Sequence, residues 1–285
     1  MSSIVEAKGL SKSYRKFQAL DSVDFNIEAG RIVGLIGPNG AGKTTALKAM
    51  LGLTSYDGEL NICGYNPRTQ RAQLMKEVCF IADVAVLPGW MKVSETIKFT
   101  KGVHPNFNEQ RALDMLAETN IPIDKKVKEL SKGMITQLHL ALVLAIDAKL
   151  LVLDEPTLGL DILFRKSFYD RLLNDYFTEE KTIIITTHQV DEIEYLLTDL
   201  LFIQEGKIVL DTSMEEIEAQ FLEVMVGPEH LEQAMALGPL NRRDIFGRHV
   251  LLFKNAQREV LETMGEVHVP KVADLFVATM TGAEQ

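Results

Sequence analysis

"RIVGLIGPNGAGKTTALKAM", residues 31–50, decides the fold. Its opening run, "RIVGLIG", is short, apolar and rich in β-branched residues, which suits a strand buried on both faces. The run ends in glycines, and "KTTALKAMLGL" behind it carries a helical pattern. Strand, glycine-rich loop and helix therefore follow one another. Within them "GPNGAGKTT" fits G-x-x-x-x-G-K-[ST]. Its residues are Gly37, Pro38, Asn39, Gly40, Ala41, Gly42, Lys43, Thr44 and Thr45. The glycines let the backbone curl so that successive N–H groups point at one anion, and the helix N-terminus adds its positive end. Lys43 would reach the outer phosphates of a nucleotide, and the Thr44 hydroxyl would ligate Mg²⁺.

Two further runs have the same buried character: "KLLVLDE" (149–155) and "KTIIITTH" (181–188), with helical spacing in "RKSFYDRLLNDYF" (165–177) between them. Alternation of this kind predicts a mostly parallel sheet. The first run carries Asp154 to the carboxyl edge, where ligands of open α/β sheets sit. There Asp154 can hold Mg²⁺ through water and Glu155 can polarise a water. A lone Asp-Glu pair after an apolar strand reads first as a solvated strand end; its pairing with the Lys43 loop turns the reading to the site. His188 ends the other run. If that strand shares the sheet and its polarity, the imidazole reaches the same crevice.

Upstream, "SIVEAKGL" and "ALDSVDFNI" read as antiparallel strands. Helical patterns fill 92–147, in "VSETIKFTKGV", "NEQRALDMLAETN" and "MITQLHLALVLAI", which predicts an inserted helical subdomain at about 84–147. From residue 218 short strands ("FLEVMVG", "RHVLLF", "EVHV") alternate with short helices, giving a small α+β domain over 218–285 after a first domain of 1–217.

At 285 residues the chain can bury a sizeable core, and 46% hydrophobic with 25% charged residues is ordinary globular usage. A net charge of −10 argues against a broad nucleic-acid footprint. Two cysteines, Cys63 and Cys79, are too few for a disulfide framework and read as buried small hydrophobes. "MSSIVEAKGLSKSY" has no apolar signal region, and the most apolar stretch, Leu138–Leu153, is interrupted by Asp147 and Lys149. A soluble chain is expected, with any membrane role reached through a partner.

In order and spacing, "GPNGAGKTT", "LSKGM" (130–134), "LLVLDEP", "LGLD" (158–161) and the His188 strand resemble the ATPase subunit of ATP-binding cassette (ABC) transporters, over about residues 4–213. The resemblance implies a P-loop NTPase core with a mostly parallel sheet, an antiparallel β subdomain and a helical insertion. It implies a Mg²⁺-dependent ATPase with Glu155 as base or water-orienter and Lys43 and His188 stabilising the transferring phosphoryl group. Tyr14 falls where the family stacks an aromatic ring on adenine. Asp161 lies in the loop that links the two ATP sites of a dimer. Ser131 and Gly133 would touch the γ-phosphate held by the opposite subunit, although LSGGQ is here Leu130-Ser131-Lys132-Gly133-Met134. Asp83 is the best match to the usual Mg²⁺-touching Gln, and its shorter side chain puts direct contact in doubt. The partners implied are a second ATPase subunit, identical or paralogous, and a separate integral membrane subunit at the inner face of the cell membrane, with no nucleic acid. The "SKGM" signature and the small C-terminal domain resemble export-type members. Two alternatives stand beside this: a soluble ABC-type ATPase with a non-transport partner, and an ATP-binding regulatory module without turnover.

Overall fold

The computed structural model describes residues 2–81, 87–158, 160–188 and 190–282. Strands β1 (Ser3–Tyr14) and β2 (Phe17–Glu28) form an antiparallel hairpin across Arg15 and Lys16. Next come β3 (Ile32–Ile36), helix α1 (Lys43–Met50) and β4 (Asp57–Ile62), the last pairing antiparallel with β1. Helix α2 (Arg71–Glu77) leads into β5 (Val78–Ile81). Helices α3 (Val93–Val103), α4 (Glu109–Ala117) and α5 (Lys132–Leu144) then form the expected helical stretch. It is followed by β6 (Leu150–Asp154), α6 (Ile162–Arg171), β7 (Thr182–Thr187), β8 (Asp199–Gln204) and β9 (Lys207–Ser213). The helix expected over 165–177 ends in a widened turn at Leu172–Tyr176, closed by the Phe177 N–H on the Leu172 carbonyl at 2.9 Å.

The large sheet has the order β5-β6-β7-β3-β8-β9, parallel except for β9 at its edge. Strands β3, β5, β6, β7 and β8 are buried on both sides because both faces are covered, whereas the edge strand β9 is only partly covered. Ile32, Leu151, Leu153, Ile183 and Ile185 face the helical stretch. Val33, Leu35, Val152, Ile184 and Leu201 face the antiparallel sheet and α1. This period of two, with each buried aliphatic side chain worth about 1.5–3 kcal/mol, fixes the register, since a one-residue slip would exchange the faces. In that register Asp154 is paired with Thr186 and Ile36 with Thr187, so β3, β6 and β7 end together.

The chain continues through α7 (Met214–Gln220), β10 (Phe221–Val226), α8 (Leu231–Met235), β11 (Asn241–Ile245) and β12 (Arg248–Lys254). It closes with α9 (Arg258–Glu262), β13 (Gly265–His268) and α10 (Val272–Gly282). The second sheet, β11-β12-β10-β13, is antiparallel. One face makes its own core with Leu222, Val224, Leu251, Phe253 and Leu261. Phe221 and Leu252 turn the other way and join α10 in the core of the large sheet.

Cys79 is buried as expected, whereas Cys63 is only half-buried because it sits in the turn after β4. Burial pushes both thiols up to about 12, so neither is a thiolate near neutral pH. Among the described residues no helix is long and apolar enough to cross a membrane.

Candidate active site

The loop between β3 and α1 can curl because two of its glycines sit where no other residue fits. At Gly37 a Cβ would lie 2.3 Å from the Ile203 carbonyl oxygen. At Gly42 φ is +115°, and a Cβ would lie 2.5 Å from the Ala19 carbonyl oxygen. The loop folds over Lys43, whose Nζ donates to the Gly37 carbonyl at 2.6 Å and the Pro38 carbonyl at 3.1 Å. Lys43 is 8% exposed. Burial lowers its pKa, while the carboxylates of Glu155 and Asp154 oppose that shift.

Asp154, at the end of β6, is 4% exposed. It accepts from Thr44 Oγ1 at 3.2 Å and from Thr186 Oγ1 at 2.5 Å. The Lys43 loop and the ends of β6 and β7 are thus joined by one carboxylate. Glu155 follows with φ +49°, a left-handed backbone costing about 1–3 kcal/mol at a non-glycine residue. It is held there by its N–H, which donates to the Thr186 carbonyl at 3.1 Å and hydroxyl at 3.2 Å. The Glu155 carboxylate lies 3.0 Å from Nδ1 of His188. A cleft of about 270 Å³ opens here, lined by Asn39 to Thr45, Asp154, Glu155, Ala19 and Phe17.

Phe17 was not anticipated from the sequence. It is paired with Tyr14 across the β1–β2 turn, so both aromatic rings flank one hairpin end beside the loop. Tyr14 does not line the cleft. Its hydroxyl is 3.5 Å from Thr54 Oγ1, and its ring lies 4.9 Å beneath the Lys12 ammonium. The Thr54 hydrogen bond, followed by contributions from Thr45, Lys12 and Lys48, outweighs burial and lowers the Tyr14 pKa.

Ser131, Gly133 and Asp161 stand apart from this cleft. Ser131 caps α5, accepting from the Met134 N–H at 3.3 Å. Gly133 faces open space, with nothing within 4 Å of a Cβ built on it. Asp161 caps α6, accepting from the Phe164 N–H at 2.9 Å. Asp83 lies outside the described residues.

A glycine loop at a helix N-terminus, a buried lysine inside it and a carboxylate on the neighbouring strand end define a P-loop nucleoside triphosphatase. Residues 20–158 match the family model for ABC transporters. The chain is 34% identical to the Nod factor export ATP-binding protein I of Burkholderia thailandensis, covering 98% of this chain and 97% of that protein. It is 29% identical to YhcH, an uncharacterised ABC transporter ATP-binding protein of Bacillus subtilis, over 97% and 89% of the two chains. The solved structure of an ATP-binding subunit of an ABC transporter superposes with a TM-score of 0.70 at 25% identity, over 76% of this chain and 92% of that one. A dimeric ATP-binding cassette bound to ADP and Pi shares the fold, with a TM-score of 0.64 at 21% identity over 74% and 98%. The chain belongs to the ABC transporter family, as an ATP-binding ATPase subunit.

Proposed function

We propose that the chain powers export through a separate membrane subunit, by ATP hydrolysis at the carboxyl edge of its large sheet. The observation that carries this is the meeting of Lys43, Asp154 and Glu155 around one cleft, with His188 3.0 Å from the Glu155 carboxylate. The loop N–H groups and Lys43 bind the β- and γ-phosphates. Glu155 orients the attacking water and takes its proton; its short contact with His188 fixes where that carboxylate points. With Nδ1–H donated to Glu155, Nε2 of His188 is an acceptor in the neutral ring and a donor in the imidazolium. Only the protonated ring can then hydrogen-bond a phosphoryl oxygen without breaking the Glu155 contact. The aromatic edge formed by Tyr14 and Phe17 suits the adenine ring.

The oxygen donors Thr44 Oγ1 and Asp154 fit a hard cation such as Mg²⁺, which takes few protein ligands and keeps several waters. When bound, that ion neutralises phosphate charge.

In this reading residues 1–217 are the nucleotide-binding domain, with its helical part at about 84–147, and 218–285 form the small α+β domain. Two subunits meet head to tail, so that Ser131 and Gly133 of one complete the ATP site of the other, with Asp161 beside the junction. The protein then lies at the inner face of the cell membrane, held by its partner. Export is favoured by the likeness to the Burkholderia relative, a Nod factor export ATP-binding protein. Affinity purification from detergent-solubilised membranes tests the transport role. Co-elution of a protein with several apolar ~20-residue spans is expected. Recovery of only ribosomal or other soluble partners would overturn it.

A further inference from the structure

Helix α10, at the end of the described chain, is held from two sides. On one side it meets the segment that follows His188. The Glu194 carboxylate accepts from the Val272 N–H at 3.1 Å, placing an anion at the positive end of α10. Val272, Leu275 and Ala278 are buried in the same core as Val190 and Ile193. Phe276 stacks edge-on against Phe202 of β8, with ring centroids 5.2 Å apart. On the other side α10 is fastened to the second sheet. Arg243 of β11 pairs with Asp274 of α10 and, at 2.8 Å, with Glu223 of β10. Near the end of the helix Asn241 Nδ2 donates to Thr281 Oγ1 at 2.9 Å.

The segment so gripped begins two residues past His188, and His188 touches Glu155. It is tied on its inner side as well. Arg165 of α6 pairs with Glu192 and donates from Nε to the Leu160 carbonyl at 3.0 Å. A short turn carrying a catalytic side chain at its root is therefore clamped between α6 and a helix that packs in the ATPase core and is tied to the C-terminal sheet by the Arg243–Asp274 ion pair.

We infer that Glu194 is a positioning residue through which α10 and the C-terminal sheet hold His188 against Glu155, so that residues 218–285 set the turnover rate. Any partner that shifts the C-terminal sheet shifts α10, and α10 moves the root of His188. The inference rests on the ATPase reading above.

The test uses the full-length chain. Glu194→Ala should lower kcat by about five- to tenfold with little change in ATP affinity, the low end of the range for coupling between sites. Glu194→Gln keeps an acceptor for the Val272 N–H and should retain most of the turnover. Arg243→Ala, which loosens α10 from its far side, should repeat the kcat effect with the contact to Glu194 intact. The deciding readout is the single-turnover rate in a His188→Ala background. If Glu194 acts through His188, adding Glu194→Ala there costs nothing further. An equal loss in both backgrounds, or undiminished kcat in Glu194→Ala, overturns the inference. Absence of ATPase activity in the unmodified protein would instead count against the site reading itself.

Discussion

Nδ1 of His188 lies 3.0 Å from the carboxylate of Glu155, across the carboxyl ends of two adjacent parallel strands. The contact joins the two groups assigned to the water and to the transferring phosphoryl group. His188→Ala should lower kcat by roughly 10²–10³-fold, the range for removing one preorganised charge-stabilising donor, while KM for ATP stays within a few fold. Steady-state phosphate release checks this. A large rise in KM with kcat unchanged would assign His188 to ground-state binding.

Lys43 is buried, charged and coordinated by two carbonyls of its own loop, so it is preorganised for anions. Lys43→Ala removes a charge-assisted contact worth about 1.5–3 kcal/mol, or roughly ten- to a hundredfold in ATP affinity. Fluorescent-nucleotide titration measures it. Affinity equal to that of the unmodified protein would detach the lysine from the phosphates.

Gly133 offers a clean discrimination because a Cβ there would have nothing within 4 Å in its own subunit. Gly133→Asp should leave folding and monomer ATP binding intact and abolish turnover, through repulsion of a γ-phosphate supplied by the other subunit. Ser131→Ala should also lose turnover, together with about 1 kcal/mol of stability from the lost cap. Normal hydrolysis in both variants would leave Ser131 as a helix cap alone.

His139 of α5 is half-buried, and its Nδ1 is enclosed with no hydrogen-bond partner among the described residues. Burial pushes its pKa down to about 4 from 6.5. The unfolded chain therefore binds a proton that the folded chain refuses between those values. Stability is full above pH 6.5 and falls as the pH drops toward 4, by about 2 kcal/mol at pH 5 from this residue. Urea unfolding at pH 7.5 and pH 5 should show that extra loss in the unmodified protein and not in His139→Leu. Equal pH dependence of the two would remove His139 as its cause.

The sequence made the centre of the molecule legible where chemistry and burial coincide. The loop from Gly37 to Thr45 and the runs ending at Asp154 and His188 carry dense, period-specific patterns, and the structure joins them in one sheet. Three features were not legible. Strand β11, "NRRDI", is polar and, among the described residues, pairs along one edge alone, so it carries no apolar alternation. Phe17 reads as an ordinary strand residue until the hairpin places it opposite Tyr14. The spacing in "VADLFVATM" predicts a helix, but its partner is set by tertiary packing, and α10 docks onto the segment after His188. Asp83, the expected Mg²⁺-touching residue, lies outside the described residues.

In the proposed mechanism Glu155 acts on water at an ATP site completed by a second subunit. Glu155→Gln keeps the size of the side chain and removes its proton-accepting charge. Size-exclusion chromatography of this variant with and without ATP and Mg²⁺, alongside a phosphate-release assay, tests both parts of that mechanism together. A dimer that forms only with ATP, with turnover lost, is the predicted result. Undiminished hydrolysis, or a monomer at saturating ATP, would contradict it.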